Sequence, residues 1–288
     1  MNEDEKSRLM LLATIEGNSK FWTREVAEKG APEVLDRLIK NGYSPNSHSA
    51  EKIARHLSRI SLNQIQDSMN GAFLITPKSP DWPQQLNELA APPFGLIGLG
   101  KRRTLESIGA SIGIVGTRNP TPYGSSVASN FAGSLAQNGF VVVSGGALGI
   151  DCCAHAGALA VDGLTVSVLA SGVFKPYPAR NRELFSRIVE GGLLLSEVLP
   201  MVDAVPYRFL IRNRLIAALG KGLLVVEAAR RSGSVRTARD AAEIFRPVMA
   251  IPGPINTPTS EGCHRLINER RAELVSSVDE IMELVAPL

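Results

Sequence analysis

From residue 111 onward, short apolar runs alternate with longer mixed segments, and this alternation restricts the possible folds more than any other feature of the chain. Six runs have the length and composition of buried strands: residues 112–116, 140–143, 165–169, 193–195, 223–226 and 248–251. The segments between them have the length of crossover helices: residues 125–137, 151–161, 181–189, 209–219 and 235–245. These βα repeats predict an α/β chain with a doubly wound, mainly parallel Rossmann-like sheet and helices on both of its faces.

The N-terminal part of the chain has a different pattern. Residues 1–66 lack a convincing strand and place apolar side chains at helical spacing, as at Leu35, Leu38 and Ile39. We therefore expect a small all-α, SAM-like domain over residues 1–66 and an extended Rossmann-like domain over residues 67–288. The proline-rich stretch 75–100 predicts an extended connector that contains one strand near residues 94–97.

The composition narrows the class of protein. With 44% hydrophobic and 20% charged residues, the chain is typical of globular proteins. We expect a cytoplasmic protein without a membrane partner, because no apolar run approaches the roughly 20 residues of a membrane span and the acidic N-terminus is unlike a signal peptide. The three cysteines, two of them adjacent, have neither metal-ligand nor disulfide spacing, so we expect no metal and no cofactor.

Positive charge is concentrated in one segment. The net charge of the whole chain is only +3, but residues 180–240 contain eleven Lys or Arg against six Asp or Glu, a local net charge of +5. A binding site for a polyanion is therefore expected in this segment.

Glycine and serine follow several of the predicted strands. Gly116, Thr117 and Arg118 follow the first, Ser144, Gly145 and Gly146 follow the second, and Ser232, Gly233 and Ser234 follow the fifth. The carboxyl ends of parallel strands meet at one edge of the sheet, where glycine admits close ligands and helix-start amides favour anions. The pattern predicts phosphate binding at this edge, with tight turns as the alternative use of the glycines.

Cationic side chains accompany these loops. Arg118 lies at the end of the first strand, and Arg212, Asn213 and Arg214 open a helix-like segment. After the third strand, the chain offers four further candidates beside the Tyr177 ring: Lys175, Arg180, Asn181 and Arg182. Arginine forks suit phosphates, and cations beside an aromatic ring suit single-stranded nucleic acid. Solvated surface arginines and a tyrosine that covers a helix are the alternatives.

Two other kinds of site find less support in the residues. Gly113 and Gly116 lack the third glycine of a dinucleotide fingerprint, and Ser144 stands where such a site has an acidic residue. Glu197 and Glu227 lie at strand ends but have no accompanying nucleophile or metal set. Asp151 and His155 lie four residues apart on one predicted helix, where a helix cap and a packed histidine are the simpler interpretation.

Taken in order, the motifs resemble the DNA-processing protein A family, DprA or Smf. The matching segments are Gly116-Thr-Arg118, Ser144-Gly-Gly-Ala-Leu-Gly-Ile-Asp151, Tyr177-Pro-Ala-Arg-Asn181, Leu195-Ser-Glu197, Arg212-Asn-Arg214, Val225-Val-Glu-Ala228, Ser232-Gly-Ser234 and Ile251-Pro-Gly253. The resemblance spans roughly residues 70–275. It departs from the family at His264 and Arg271, where relatives usually have asparagine and glycine.

The resemblance implies a non-catalytic protein that binds and protects incoming single-stranded DNA. It also implies help in loading a RecA-type recombinase during natural transformation and homologous recombination, and a homodimer formed through the Rossmann-like domain. By position, Arg118 and either Arg180 or Arg182 would contact the DNA backbone. The two departures, at His264 and Arg271, lie in the region where relatives dimerise.

One enzymatic alternative has a related fold. A nucleotide N-glycosidase of the lysine-decarboxylase-like group shares a glycine-rich second loop, but this chain lacks the Pro-Gly-Gly and Thr-Glu elements of that group. A binding protein is therefore the preferred interpretation.

Overall fold

The computed structural model describes residues 1–40, 42–43 and 48–286. Within these residues, nine strands form one sheet in the order β1-β2-β6-β5-β4-β3-β7-β8-β9. The strands are β1 (Phe73–Ile75), β2 (Leu96–Gly100), β3 (Ser111–Val115), β4 (Val141–Ser144), β5 (Thr165–Leu169), β6 (Leu193–Ser196), β7 (Gly222–Val225), β8 (Val248–Ala250) and β9 (Glu273–Leu274). Strands β3 to β9 pair in parallel, whereas β2 pairs antiparallel with β1 and with β6. The predicted doubly wound, mainly parallel Rossmann-like sheet is confirmed.

The crossover helices cover both faces of this sheet. They are α6 (Pro122–Gln137), α7 (Ile150–Leu159), α8 (Arg182–Gly191), α9 (Pro206–Leu219) and α10 (Gly233–Glu243), followed by α11 (Glu261–Asn268) and α12 (Val278–Val285). In β7, Leu223 and Val225 pack in the core with α9 and α10, while Leu224 packs in the core with α6, α7 and α12. Because successive strand side chains point to opposite faces, each apolar strand serves two cores.

The N-terminal segment is helical, as expected. Its helices are α1 (Glu3–Thr14), α2 (Lys20–Lys29), α3 (Ala31–Ile39), α4 (His48–Leu57) and α5 (Leu62–Asp67). Asn2 and Glu5 form a capping box that satisfies backbone N–H groups at the start of α1. The apolar side of these helices shares one core with Phe94, Ile97 and Leu194 of the sheet domain. Burial of this face attaches the helical unit to the sheet, and the division at residue 66 remains a prediction.

Three outer strands of the sheet, β1, β2 and β9, differ from the prediction. The strand expected near 94–97 is β2, shifted to Leu96–Gly100, and the short outer strands β1 and β9 were not predicted. Both β9 residues are exposed, so they carry no apolar pattern. In the part of the chain that the structure describes, no helix is long and apolar enough to cross a membrane.

Candidate functional site

A cleft of about 660 Å³ opens at the carboxyl ends of β3 and β7. The strands that follow β3 in sequence, β4 to β6, lie on one side of it, and β7 and β8 lie on the other. The strand order therefore reverses between β3 and β7, which is where open α/β sheets bind ligands. Residues from five segments line the cleft: Gly116, Thr117, Arg118, Ala147, Asp151, Tyr177, Phe209, Leu210, Arg212, Asn213, Ser232, Gly233 and Ser234.

The loop after β3 lies directly against the start of α7. Gly149 has φ +81°, and a Cβ there would stand 2.3 Å from the Thr117 carbonyl oxygen. Glycine is required at this position on both grounds, because an L side chain would be strained and would clash. The Ile150 N–H donates to the Thr117 carbonyl at 3.1 Å and fixes the approach. This contact holds the backbone that carries Arg118 at the cleft.

A buried cation forms part of the cleft floor. The Arg212 side chain on α9 is only 6% exposed, and its Nη1 donates to the Gly145 carbonyl at 2.7 Å and to the Val168 carbonyl. Burial lowers the pKa of Arg212 to about 10, against the opposing charge of Asp151, so the guanidinium stays protonated near neutral pH. The site therefore contains a fixed positive charge close to the carboxyl ends of β4 and β5.

Asp151 balances part of this charge from the first turn of α7. Its carboxylate accepts from the Gly145 N–H at 3.1 Å and from the Ala147 N–H at 3.4 Å. Burial raises the pKa of Asp151, while Arg212 and these N–H groups act in the opposite direction. Four residues later, His155 is completely buried and bonds to Thr165 Oγ1 at 2.7 Å. His155 is therefore a packed histidine, as the simpler interpretation held. Asp151 does not cap α7, whose N-cap is Gly149, but holds the loop after β4 at the cleft.

Arg118 and two aromatic rings form the mouth of the cleft. The Arg118 side chain is exposed, and its guanidinium carbon lies 5.7 Å from the centroid of the Phe209 ring. The Tyr177 ring, in a side chain that is 51% exposed, meets the same Phe209 ring edge-on at 5.7 Å. A cation next to exposed aromatic surface can hold a phosphate and an adjacent flat base together.

The opposite wall is the start of α10. Ser232 caps this helix by accepting from the Val235 N–H, and the Ser234 hydroxyl donates to the Gly116 carbonyl at 2.7 Å. No atom lies within 4 Å of a Cβ built on Gly233, which faces open space. The helix start thus presents backbone N–H groups to the cleft and favours an anion there.

Other predicted site residues do not line the cleft. Ser144 donates its hydroxyl to the Ile114 carbonyl, and Asn181 donates to the Gly146 carbonyl at 2.9 Å. Lys175 pairs with Asp203 at 3.0 Å on the surface. Arg180 and Arg182 are exposed at the start of α8. Their contacts to DNA, like those of Gly145 and Gly146, remain predictions.

The expectation that Arg212, Asn213 and Arg214 open a helix is wrong. Helix α9 begins at Pro206, so the three residues lie in its buried middle. Residues two apart on a helix point about 200° apart. Arg212 therefore reaches the cleft, whereas Arg214 donates to both carboxylate oxygens of Glu197 at 2.6 Å and lies outside it.

The two strand-end glutamates are both engaged. Glu197 is held by Arg214, and Glu227 accepts from the Thr121 N–H at 2.9 Å and from the Thr121 hydroxyl at 2.6 Å. Among the residues that line the cleft, sequence reasoning missed Ala147, Phe209 and Leu210. The one signal for the last two was Pro206, which fits the first position of a helix and would have placed both residues near its start.

Comparison with known proteins agrees with this fold. The sequence model of the DNA recombination-mediator protein A family matches residues 73–286. Protein Smf of Synechocystis is 41% identical over 271 residues, which cover 91% of this chain and 66% of that protein. The chain therefore spans about two thirds of the length of this relative.

Two solved structures are similar as well. DNA processing protein A from Streptococcus pneumoniae has a TM-score of 0.83 and 30% identity, with 98% of both chains covered. DNA processing protein A from Helicobacter pylori, whose structure addresses its unique single-stranded DNA binding mode, has a TM-score of 0.66 and 31% identity. That match covers 73% of this chain and 94% of the other.

Proposed function

The chain belongs to the DNA recombination-mediator protein A family, and we propose that it binds single-stranded DNA in the cleft between β3 and β7. The bound strand is protected there, and a RecA-type recombinase is loaded onto it during natural transformation and homologous recombination. The single-stranded DNA binding mode of the Helicobacter pylori relative supports the choice of ligand.

One observation carries the proposal: three groups that can contact phosphate and two aromatic rings meet in one cleft. Arg118 offers an exposed guanidinium, Arg212 a buried one, and the start of α10 its backbone N–H groups. Tyr177 and Phe209 add ring surface beside Arg118. Phosphates are the same in every sequence and every base has a flat face, so the sequence preference of such a site is weak.

We propose that the protein acts as a binding protein without a catalytic step. In support, Glu197 and Glu227 are held in internal contacts with Arg214 and Thr121. Incubation with nucleoside monophosphates tests this point. Release of free base would favour the N-glycosidase alternative and overturn the proposal.

We also propose a homodimer in the cytoplasm, formed through the Rossmann-like domain. Leu274 on the outer strand β9 is 52% exposed, which leaves apolar surface at that edge of the sheet. Of the two departures from the family pattern, His264 bonds to the Gly253 carbonyl at 2.9 Å and Arg271 pairs with Glu269 at 3.4 Å. Sedimentation analysis of the wild type and Leu274→Asp tests the dimer, which the substitution should weaken.

Fluorescence anisotropy with single-stranded and duplex oligonucleotides tests the DNA site. Wild-type protein should prefer the single strand and show a salt slope of about −0.7 for each phosphate contacted. Arg118→Ala should weaken binding and remove about one such increment. Arg55→Ala removes an exposed arginine from α4 and is the matched control. If the wild type bound no oligonucleotide at low salt, the proposed function would be wrong.

A further inference from the structure

The loop between α1 and α2 contacts the first turn of α9 outside the cleft. Glu16 in this loop accepts from the Tyr207 hydroxyl at 2.6 Å and from Arg208 Nη2 at 2.6 Å. Arg208 Nε donates to the second carboxylate oxygen at 3.2 Å. Burial opposes ionisation, but the hydrogen bonds from Arg208 and Tyr207 lower the pKa of Glu16, so it is a carboxylate at neutral pH. The helical unit and the sheet domain are therefore joined by a charge-assisted contact.

The neighbouring residue fixes how close this loop comes to the sheet. A Cβ on Gly17 would stand 2.3 Å from Glu197 Oε2, so only glycine fits without displacing that carboxylate. Glu197 is in turn held by Arg214, which also belongs to α9. The loop is thus connected to α9 at two levels, directly through Glu16 and indirectly through Glu197.

The first turn of α9 begins with Pro206, which favours a helix start, but it has no side-chain cap. Its N-cap residue, Val205, provides no side-chain hydrogen bond to the orphan N–H groups of the helix start. Arg208 is held from both sides, by Glu16 and by the Asp203 carbonyl that accepts from Nη1 at 3.1 Å. The contact with Glu16 therefore adds a long-range restraint to a turn that is otherwise held by local contacts.

The same turn carries the aromatic side of the cleft. Phe209 follows Arg208 directly, contacts the Tyr177 ring and the Arg118 guanidinium at the mouth, and lines the cleft together with Leu210. Tyr207 and Arg208 face Glu16 while Phe209 faces Arg118. A displacement of this turn would move the surface against which bases are proposed to stack.

We propose that Glu16 is a positioning residue for strand binding, through which the N-terminal helical unit holds the first turn of α9 in its binding geometry. The proposal rests on the function proposed above. Glu16 is not among the residues that line the cleft, so its part in binding is indirect.

The sign of the effect of Glu16→Ala separates this proposal from simple electrostatics. Removal of a negative charge near a phosphate site should by itself tighten binding. Loss of the contact between Glu16 and the first turn of α9 should instead weaken binding. We expect about a fivefold rise in Kd for a thymine oligonucleotide, equivalent to about 1 kcal/mol. The salt slope should stay that of the wild type, because no phosphate contact is lost, whereas Arg118→Ala reduces it.

The decisive experiment is an anisotropy titration of four variants together with the wild type. Glu16→Ala is compared with Glu51→Ala, which removes an exposed acidic side chain from the same helical unit. The double variant Glu16→Arg/Arg208→Glu reverses the pair and should recover part of the affinity. Tyr207→Phe removes a single hydrogen bond and should give a smaller loss of affinity in a stable fold.

Each outcome has one meaning. Weaker binding by Glu16→Ala and Tyr207→Phe, with an unchanged salt slope and partial recovery in the reversed pair, supports the proposal. If Glu16→Ala does not fold, the affinity and salt slope of Tyr207→Phe and of the reversed pair test the proposal in its place. If the folded variants bind as tightly as the wild type, the proposed role of Glu16 is overturned, while the proposed DNA-binding function stands. Failure of the wild type to bind would instead overturn the proposed function.

Discussion

Replacement of Arg212 by methionine tests whether the buried cation at the cleft floor holds the sheet together there. Arg212 Nη1 donates to the Gly145 carbonyl just after β4 and to the Val168 carbonyl in β5. Methionine has a similar length but neither a donor nor a charge. The substitution therefore leaves two carbonyls without their donor and Asp151 without its neighbouring cation.

The size of the effect follows from burial. Hydrogen bonds to charged groups contribute about 1.5–3 kcal/mol each, and removal of one member of a buried charge pair costs about 3–5 kcal/mol. The two figures overlap because they describe the same guanidinium, so we expect a loss of about 3–5 kcal/mol in the free energy of unfolding. At roughly 2–4 °C per kcal/mol, Tm should fall by about 6–20 °C.

Urea titration and thermal melting measure this loss. Arg118→Met is the matched control, because the same change at an exposed position should alter stability by no more than about 0.5 kcal/mol. A loss of less than about 1 kcal/mol in Arg212→Met, with an unchanged m-value, would refute the reasoning. Arg212 would then be a binding residue only, without a part in holding β4 and β5.

Three further predictions concern stability and the mouth of the cleft. Burial lowers the pKa of His155 to about 3 from 6.5, so the unfolded state takes up the proton first and stability falls as the pH drops through 6.5. Urea titrations should show a loss of about 2 kcal/mol between pH 7 and pH 5, and this part of the pH dependence should vanish in His155→Gln. Gly149→Ala should cost about 1–3 kcal/mol, whereas Gly109→Ala, which meets no atom within 4 Å, should be nearly neutral in the same assay. Phe209→Ala should lose about 1–3 kcal/mol of strand affinity per stacked base, and anisotropy that matched the wild type would contradict base stacking at this ring.

The central strands could be predicted from the sequence because burial on both faces makes them apolar throughout. The expected strand at 165–169 coincides with β5. The ends of the other central strands differ from the structure by at most one residue. The outer strands could not be predicted in this way. Strand β9 consists of Glu273 and Leu274, both exposed, and its pairing with β8 depends on tertiary contacts.

The loops that form the cleft could be predicted from the sequence, but not all of its side chains could. The rule that ligands bind at the carboxyl edge brought Gly116, Arg118 and Ser232 together, and the structure places all three in one cleft. The side chains of α9 were not predictable, because a sequence of alternating arginines does not reveal which helix face is buried. Arg212 and Arg214 proved to face different partners, and only the three-dimensional fold decides which one reaches the cleft.

The order of strands also has a consequence for synthesis of the chain on the ribosome. The two walls of the cleft follow β3 and β7, whose register pairs Ile112 with Gly222, about 110 residues apart. At about 5–20 residues per second, these residues take about 5–20 s to synthesise. During that interval the β7 side of β3 has no partner strand, and closure of so long a loop is a slow, late folding event. The cleft that we propose for DNA therefore forms only after most of the chain has been translated.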